Sequence, residues 1–188
     1  DQDCLDNNPT LPLAADKGLT PEAAKLVTAI KIANQAIYQK AKTQIEYRNM
    51  GSTVVALTAK GDSVSIAHVG DSRAYRIRQN SIEQLTTDHS WIREQVQKGN
   101  LSEEESKKHQ LRNIITRALG IEAEVEVDVR TEKIQDQDYL ILCSDGLSSS
   151  IEDETIKNII LDAKSDITCA CRNLINAANE KGGKDNIT

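Results

Sequence analysis

Phenylalanine is absent, and the aromatic residues are four tyrosines and one tryptophan, 3% of the chain. A core without large rings must be filled by Ile, Leu, Val and Ala, recurring at the spacing of a helix face or a strand face. Basic residues are not in excess: 23 Lys and Arg stand against 29 Asp and Glu, a formal charge of −6. That balance argues against a general nucleic-acid binder, which presents a basic face. No apolar run approaches the ~18 residues of a membrane span. No basic segment followed by an apolar one opens the sequence, so no secretory signal is expected. Cys4, Cys143, Cys169 and Cys171 contain no Cys-x-x-Cys pair and read as reduced thiols of a cytoplasmic protein. GxGxxG, Walker and GxSxG sequences are missing, and His68, His89 and His109 lack zinc-like spacing. What remains is one domain of ordinary size, 188 residues with 38% apolar content.

Thr20-Pro21-Glu22 opens a helix, with Thr20 as cap and Pro21 in the first turn. Leu26, Ile30, Ala33, Ile37, Ala41 and Ile45 then recur at helical spacing, predicting a helix over about 22–46. From Gly51 the period becomes two. Strands are expected over 52–59, 63–69, 73–78 and, more briefly, 83–86, forming an antiparallel meander by their short turns. Residues 88–120 break this pattern and read as a helical excursion, with helices near 90–98 and 102–108. Alternation resumes over 124–130, where Val125, Val127 and Val129 share one face. Tyr139–Cys143 is a continuous apolar strand, expected to be buried on both faces. Two amphipathic helices follow, about 153–163 and 166–179, with Asp153 and Asp166 as caps. The order predicts an α+β domain: antiparallel sheet with helices on its outer faces.

Three acids stand out. Asp71 and Asp145 each follow an apolar strand beside a glycine, and Asp185 follows Gly182-Gly183. Carboxylates at strand ends converge on one edge of a sheet, where hard divalent cations find rigid oxygen ligands. Each acid alone is better explained by turn capping. Spacing leaves the two readings level for the set. His68 shares a strand face with Val64 and Ile66 and reads as a packed histidine.

Six segments occur in a particular order: Met50-Gly51-Ser52-Thr53, His68-Val69-Gly70-Asp71-Ser72-Arg73-Ala74-Tyr75, Thr87-Asp88-His89-Ser90, Ile115-Thr116-Arg117-Ala118-Leu119-Gly120, Cys143-Ser144-Asp145-Gly146-Leu147, and Gly182-Gly183-Lys184-Asp185-Asn186-Ile187-Thr188. In that order they resemble the bacterial PP2C (PPM) metal-dependent Ser/Thr protein phosphatases. The resemblance covers about 50–188, and 1–49 more weakly.

It implies a β-sandwich of two antiparallel sheets flanked by helices, in a single domain over 1–188 that reads as incomplete at both ends. Residues 88–120 would be a flap beside the active site that influences substrate choice. Two Mn²⁺ or Mg²⁺ ions, with a possible third, would be held at one edge. Asp145 and Asp185 would be ligands, Asp71 would share the third ion with Asp145, and Asp88 would brace the flap. Asp3 would match the first acidic motif and Asp16 a contracted second one. Lys17 stands where that motif has glycine, and the family's phosphate-binding Arg and proton-donating His find no counterpart. The implied activity is hydrolysis of phosphoserine and phosphothreonine esters by metal-activated water. A pseudophosphatase that binds phosphoproteins is the alternative. A phosphoprotein substrate and a Ser/Thr kinase of the same pathway would be the partners, with no nucleic acid, no membrane and a monomeric chain.

Overall fold

The computed structural model describes residues 18–188. Helix α1 (Pro21–Thr43) starts where expected: the Thr20 hydroxyl accepts from the Ala23 amide at 3.2 Å. It stops at Thr43 because Gln44 is extended, and a short 3₁₀ turn over Ile45–Tyr47 follows. The buried face is rotated from the expected stripe. Ala23, Ala24, Val27, Ile30 and Asn34 are buried, Ala33 is exposed, and Ile45 lies beyond the helix at 82% exposure. The rotation brings two alanines to the sheet, so backbone and sheet can approach closely.

Strands β1 (Val54–Lys60) and β2 (Ser63–Val69) form a hairpin, as do β3 (Arg73–Arg78) and β4 (Ser81–Gln84). They do not continue as one meander. The chain crosses from one sheet to the other at residues 70–72, giving sheets β1-β2-β5 and β4-β3-β6, both antiparallel. Here β5 is Asp128–Lys133 and β6 is Tyr139–Cys143. The ladder of β5 begins later than the alternation suggests. His68 pairs with Asp128 as β2 reaches its end, so residues before 128 have no strand beside them. Val125 and Val127 still pack with Val129 against α1, so the alternation identified the face correctly.

Alternation sorts side chains into layers. Val64 and Ile66 of β2 meet Ala74, Leu85 and Leu140 between the sheets. Ala67 and Val69 face α1 through Ile30. On the other sheet, Tyr75, Ile77 and Cys143 pack under α5 (Asp153–Asp162) and α6 (Ile167–Glu180) through Ile156, Ile160, Ala170 and Leu174. The result is the anticipated sandwich with helices on both outer faces. β6 is not buried on both sides, since Leu142 is 41% exposed. Asp166 caps α6, accepting from the Cys169 amide at 2.9 Å. Asp153 is not the cap of α5. Glu152 takes that position, while the Asp153 carboxylate accepts from the Tyr75 hydroxyl at 3.0 Å.

The excursion after β4 carries α2 (Trp91–Gln97) and α3 (Glu103–Lys108), capped by Ser90 and Ser102, and Glu105 completes a capping box at Ser102. Its two arms are tied together: Thr116 N–H donates to His89 O at 2.8 Å and Trp91 N–H to Ile114 O at 2.9 Å. Its end is fixed to α1 by buried Asn34. The Asn34 amide donates to Glu122 O at 3.1 Å and Ala123 O at 3.2 Å, and its oxygen accepts from Gly120 N–H at 2.7 Å. Removing that side chain strands a buried N–H and two carbonyls. Asn34→Ala is therefore expected to lower the unfolding free energy by about 2–3 kcal/mol. Urea denaturation reads this as a lower midpoint at unchanged slope. A loss below about 0.5 kcal/mol would show that water replaces the side chain.

Candidate functional site

Two strand ends create the site. Arg73, the first residue of β3, pairs with Cys143, the last of β6. Asp71 lies two residues before one and Asp145 two residues after the other, so both continue off the same end of the sheet on the same side. Burial, then the charge of Asp145 and that of Asp88, push the Asp71 carboxyl above its ordinary value. The register of β3 and β6 thus brings Asp145 near enough for its charge to act on Asp71. Asp145 opens the short turn α4 (Asp145–Ser148), which the sequence reading did not anticipate.

The third acid arrives with the end of the chain. Ser144 N–H donates to Thr188 O at 3.1 Å, and Thr188 N–H donates to Ser144 Oγ at 3.1 Å. A Cβ on Gly146 would overlap the Asn186 carbonyl, so this approach requires glycine. Asp185 thus sits beside the Asp145 turn, exposed, its carboxylate accepting from the Asn186 amide at 2.7 Å. Among the described residues, Asp71, Asp145 and Asp185 do not close into a group of ligand atoms within 4.8 Å. Asp3 and Asp16 lie outside the described residues.

The turn bearing Asp71 is held on several sides. Gly70 has φ +107°, and a Cβ there would overlap the Thr53 side chain. Thr53 and Ser72 hydroxyls are 2.9 Å apart. Arg73 grips Asp88 with two nitrogens, Nε to Oδ1 at 2.9 Å and Nη2 to Oδ2 at 2.6 Å. Gln84 also donates to Asp88 at 2.9 Å, and Arg73 Nη1 donates to the buried Tyr75 hydroxyl at 2.9 Å. Asp88 thus ties the start of the excursion to β3 and β4. Burial pushes the Cys143 thiol up to about 11, which leaves it a poor nucleophile.

A second cluster escaped the sequence reading. His68, His89 and Asp128 place one ligand atom each within 4.8 Å of one another. A cation already lies there: Arg117 Nη1 is 2.6 Å from Asp128 Oδ1 and 3.1 Å from His89 Nε2. The His nitrogens are also committed. His68 Nε2 bonds Thr87 O at 2.8 Å, and His89 Nδ1 accepts from Gly70 N–H at 3.1 Å. Neutral His89 thus carries its proton on Nε2, directed to Asp128 Oδ2 at 3.4 Å. His68 is the packed residue expected, stacked on His89 with ring centroids 4.6 Å apart. The His-x₂₀-His spacing of this pair is no recognisable motif, because contact depends on two separate sheet ends.

The comparisons with known proteins fit this architecture. The protein phosphatase 2C family model matches residues 10–184. The chain belongs to the protein phosphatase 2C family. It is 40% identical over 159 residues to the serine/threonine phosphatase stp of Listeria welshimeri, covering 85% of this chain and 63% of that protein. It is 39% identical over 161 residues to the protein phosphatase PhpP of Streptococcus pneumoniae, covering 85% and 64%. It thus spans less than two thirds of the length of these relatives. Among solved structures, the Mycobacterium tuberculosis serine/threonine phosphatase PstP/Ppp superposes with a TM-score of 0.84 at 32% identity, covering 93% of this chain and 73% of that one. Stp1 of Staphylococcus aureus gives 0.83 at 35%, covering 92% and 68%. A PstP catalytic domain in complex with two manganese ions gives 0.77 at 31%, covering 93% and 72%.

Burial, reinforced by Arg117 and His68, holds the His89 imidazole below its ordinary 6.5. Between 6.5 and that lowered value the unfolded chain binds the extra proton and the folded chain does not, so stability falls as pH falls. The melting temperature is expected to drop as pH is lowered from about 7.5 to 5, with a shallower drop in His89→Asn. An identical slope in the variant would assign the acid sensitivity to other groups.

Proposed function

We propose that the chain is the catalytic part of a metal-dependent protein phosphatase that hydrolyses phosphoserine and phosphothreonine monoesters. The observation that carries this reading is the pair Asp71 and Asp145 at one sheet end, where burial and the charge of Asp145 raise the Asp71 carboxyl even with Arg73 nearby. Carboxylates in that state fit a hard divalent ion, Mn²⁺ or Mg²⁺. The donor chemistry is right: oxygen ligands on rigid strand ends, with the Asp185 segment laid against the Asp145 turn. Asp145 and Asp185 would hold the core ions together with Asp3 and Asp16, and Asp71 would share a weaker one with Asp145. Such ions supply Lewis acidity towards water and towards the phosphoryl oxygens.

The chain's own residues do the positioning. Gly146 admits the Asn186 carbonyl and so keeps Asp185 beside Asp145. Thr53, Ser72 and Gly70 fix the turn from which Asp71 projects. Arg73 is engaged with Asp88 and offsets only part of what burial and Asp145 do to Asp71. Residues 88–120 form the flap beside this site within one domain over 1–188. A phosphorylated protein is the substrate, phosphorylated by a Ser/Thr kinase of the same pathway. A cytoplasmic, monomeric enzyme agrees with the reduced cysteines, and among the described residues no helix is long and apolar enough to cross a membrane.

The test is hydrolysis of p-nitrophenyl phosphate and of a phosphothreonine peptide with Mn²⁺, and after EDTA. Turnover that requires Mn²⁺ and is lost with EDTA is expected. Asp145→Asn and Asp185→Asn should each reduce turnover about 10²-fold or more, since each removes several kcal/mol of ion-dependent stabilisation. Asp71→Ala should lower turnover while leaving the tight ions bound. Full activity in EDTA, or in Asp145→Asn, would overturn the reading.

A further inference from the structure

Gly70 has no side chain, so this residue can be held only by its amide and carbonyl, beside the Thr53–Ser72 hydroxyl contact on the other side of the turn. Both are held by one residue. His89 N–H donates to Gly70 O at 3.0 Å, and Gly70 N–H donates to His89 Nδ1 at 3.1 Å, in a buried setting. The imidazole cannot swing away. It is 8% exposed, lies on the His68 ring at 4.6 Å and 17°, and points Nε2 at Asp128. His68 is fixed in turn by Thr87 O at 2.8 Å.

The same residue joins the roots of the flap. His89 lies on the outgoing arm, and its carbonyl accepts from Thr116 N–H of the returning arm at 2.8 Å. The next residue on that arm, Arg117, bonds Asp128 Oδ1 at 2.6 Å and Glu126 at 3.1 Å, bridging the flap to the start of β5. Every polar group of His89 is spent on one of three things: the Asp71 turn, the returning arm, or the Asp128–Arg117 pair.

We propose that His89 is a positioning residue: it sets the turn that aims Asp71 at its metal ion and ties the flap's roots to that turn. This rests on the reading of Asp71 as a ligand. A metal held by His68, His89 and Asp128 themselves is the competing use of the cluster. It would have to displace Arg117 and take His89 Nδ1 from Gly70. Groups that fix a ligand's orientation contribute about 10- to 100-fold to metal affinity.

Two substitutions separate the ends of the ring. Asn places an acceptor where Nδ1 lies and leaves the Nε2 side empty; Gln reaches the Nε2 position and leaves Gly70 N–H unpaired. Hydrogen exchange of the Gly70 amide, followed by NMR without metal, should accelerate about tenfold or more in His89→Gln and stay near wild type in His89→Asn. Mn²⁺ titration by calorimetry should show the weak step, the one lost in Asp71→Ala, weakened about tenfold in His89→Gln and preserved in His89→Asn, with tight binding unchanged. In an Asp71→Ala background, His89→Gln should add nothing to the titration.

Equal Mn²⁺ weakening in both variants, an additive effect with Asp71→Ala, or faster Gly70 exchange with an unchanged titration would each overturn the assignment to His89 alone. A wild-type protein that takes up no Mn²⁺ would overturn the phosphatase reading and this role together. Added Zn²⁺ binding lost in His68→Gln would establish the competing metal site and overturn the proposal.

Discussion

The architecture depends on one corner that accepts no side chain. At Gly70 the backbone takes φ +107° and lies against Thr53, so a Cβ has neither the conformation nor the space. There the chain leaves one sheet and enters the other. Because the crossing is short, β2 and β3 carry their inward faces into the same interior, where Val64 and Ile66 meet Ala74. The crossing also puts Asp71 off the end of β3, where the register with β6 brings Asp145 opposite. Sandwich and site are two consequences of the same turn.

Small residues do the same work elsewhere. Gly146 lets the Asn186 carbonyl reach the Asp145 turn, and Gly120, at φ +83°, offers its amide to Asn34 while a Cβ would strike Ile37. In a chain without Phe, close backbone approach substitutes for bulky filling. Close approach leaves polar groups facing one another across narrow gaps, and these are bonded: among the described residues no buried side-chain nitrogen or oxygen lacks a partner. Asn34 and Ser65 are buried polar side chains whose partners lie far away in sequence, 88 and 89 residues for Asn34 and 45 and 66 for Ser65.

Periodicity read the elements well, because each strand and helix buries one face. β2, β3 and β6 have the bounds their patterns imply. It misread the connection between β2 and β3, since a three-residue link serves a hairpin and a sheet crossing alike. It placed β5 too early, at 124–130 and not Asp128–Lys133, since alternation reports a face and not a hydrogen-bonded neighbour. It rotated the face of α1, since Asn34 is polar yet buried, with partners 88 and 89 residues away in sequence. At the site, Asp71, Asp145 and Asp185 were legible because glycines mark their turns. The His68–His89–Arg117–Asp128 cluster was not, because its members come from β2, the flap's two arms and β5, and no local pattern announces such a meeting.

Electrostatics constrains how an anionic ester could be bound here. The chain carries −6 overall, and Asp71 and Asp145 add local repulsion at the site. The arginines do not cancel it: Arg73 is held by Asp88 and lowers Asp71 by less than burial and Asp145 raise it, and Arg117 is held by Asp128 and Glu126. A guanidinium in a two-nitrogen grip on a carboxylate has little capacity left for a phosphate. Those ion pairs therefore build the frame and leave the charge at the sheet end unbalanced. Divalent cations would reverse the local field, so the acids that repel a phosphoester in their absence become the reason it binds in their presence. On that logic, the arginine–carboxylate pairs around the turn matter for what they withhold: engaged with their own carboxylates, they leave the acids at the sheet end able to take a cation.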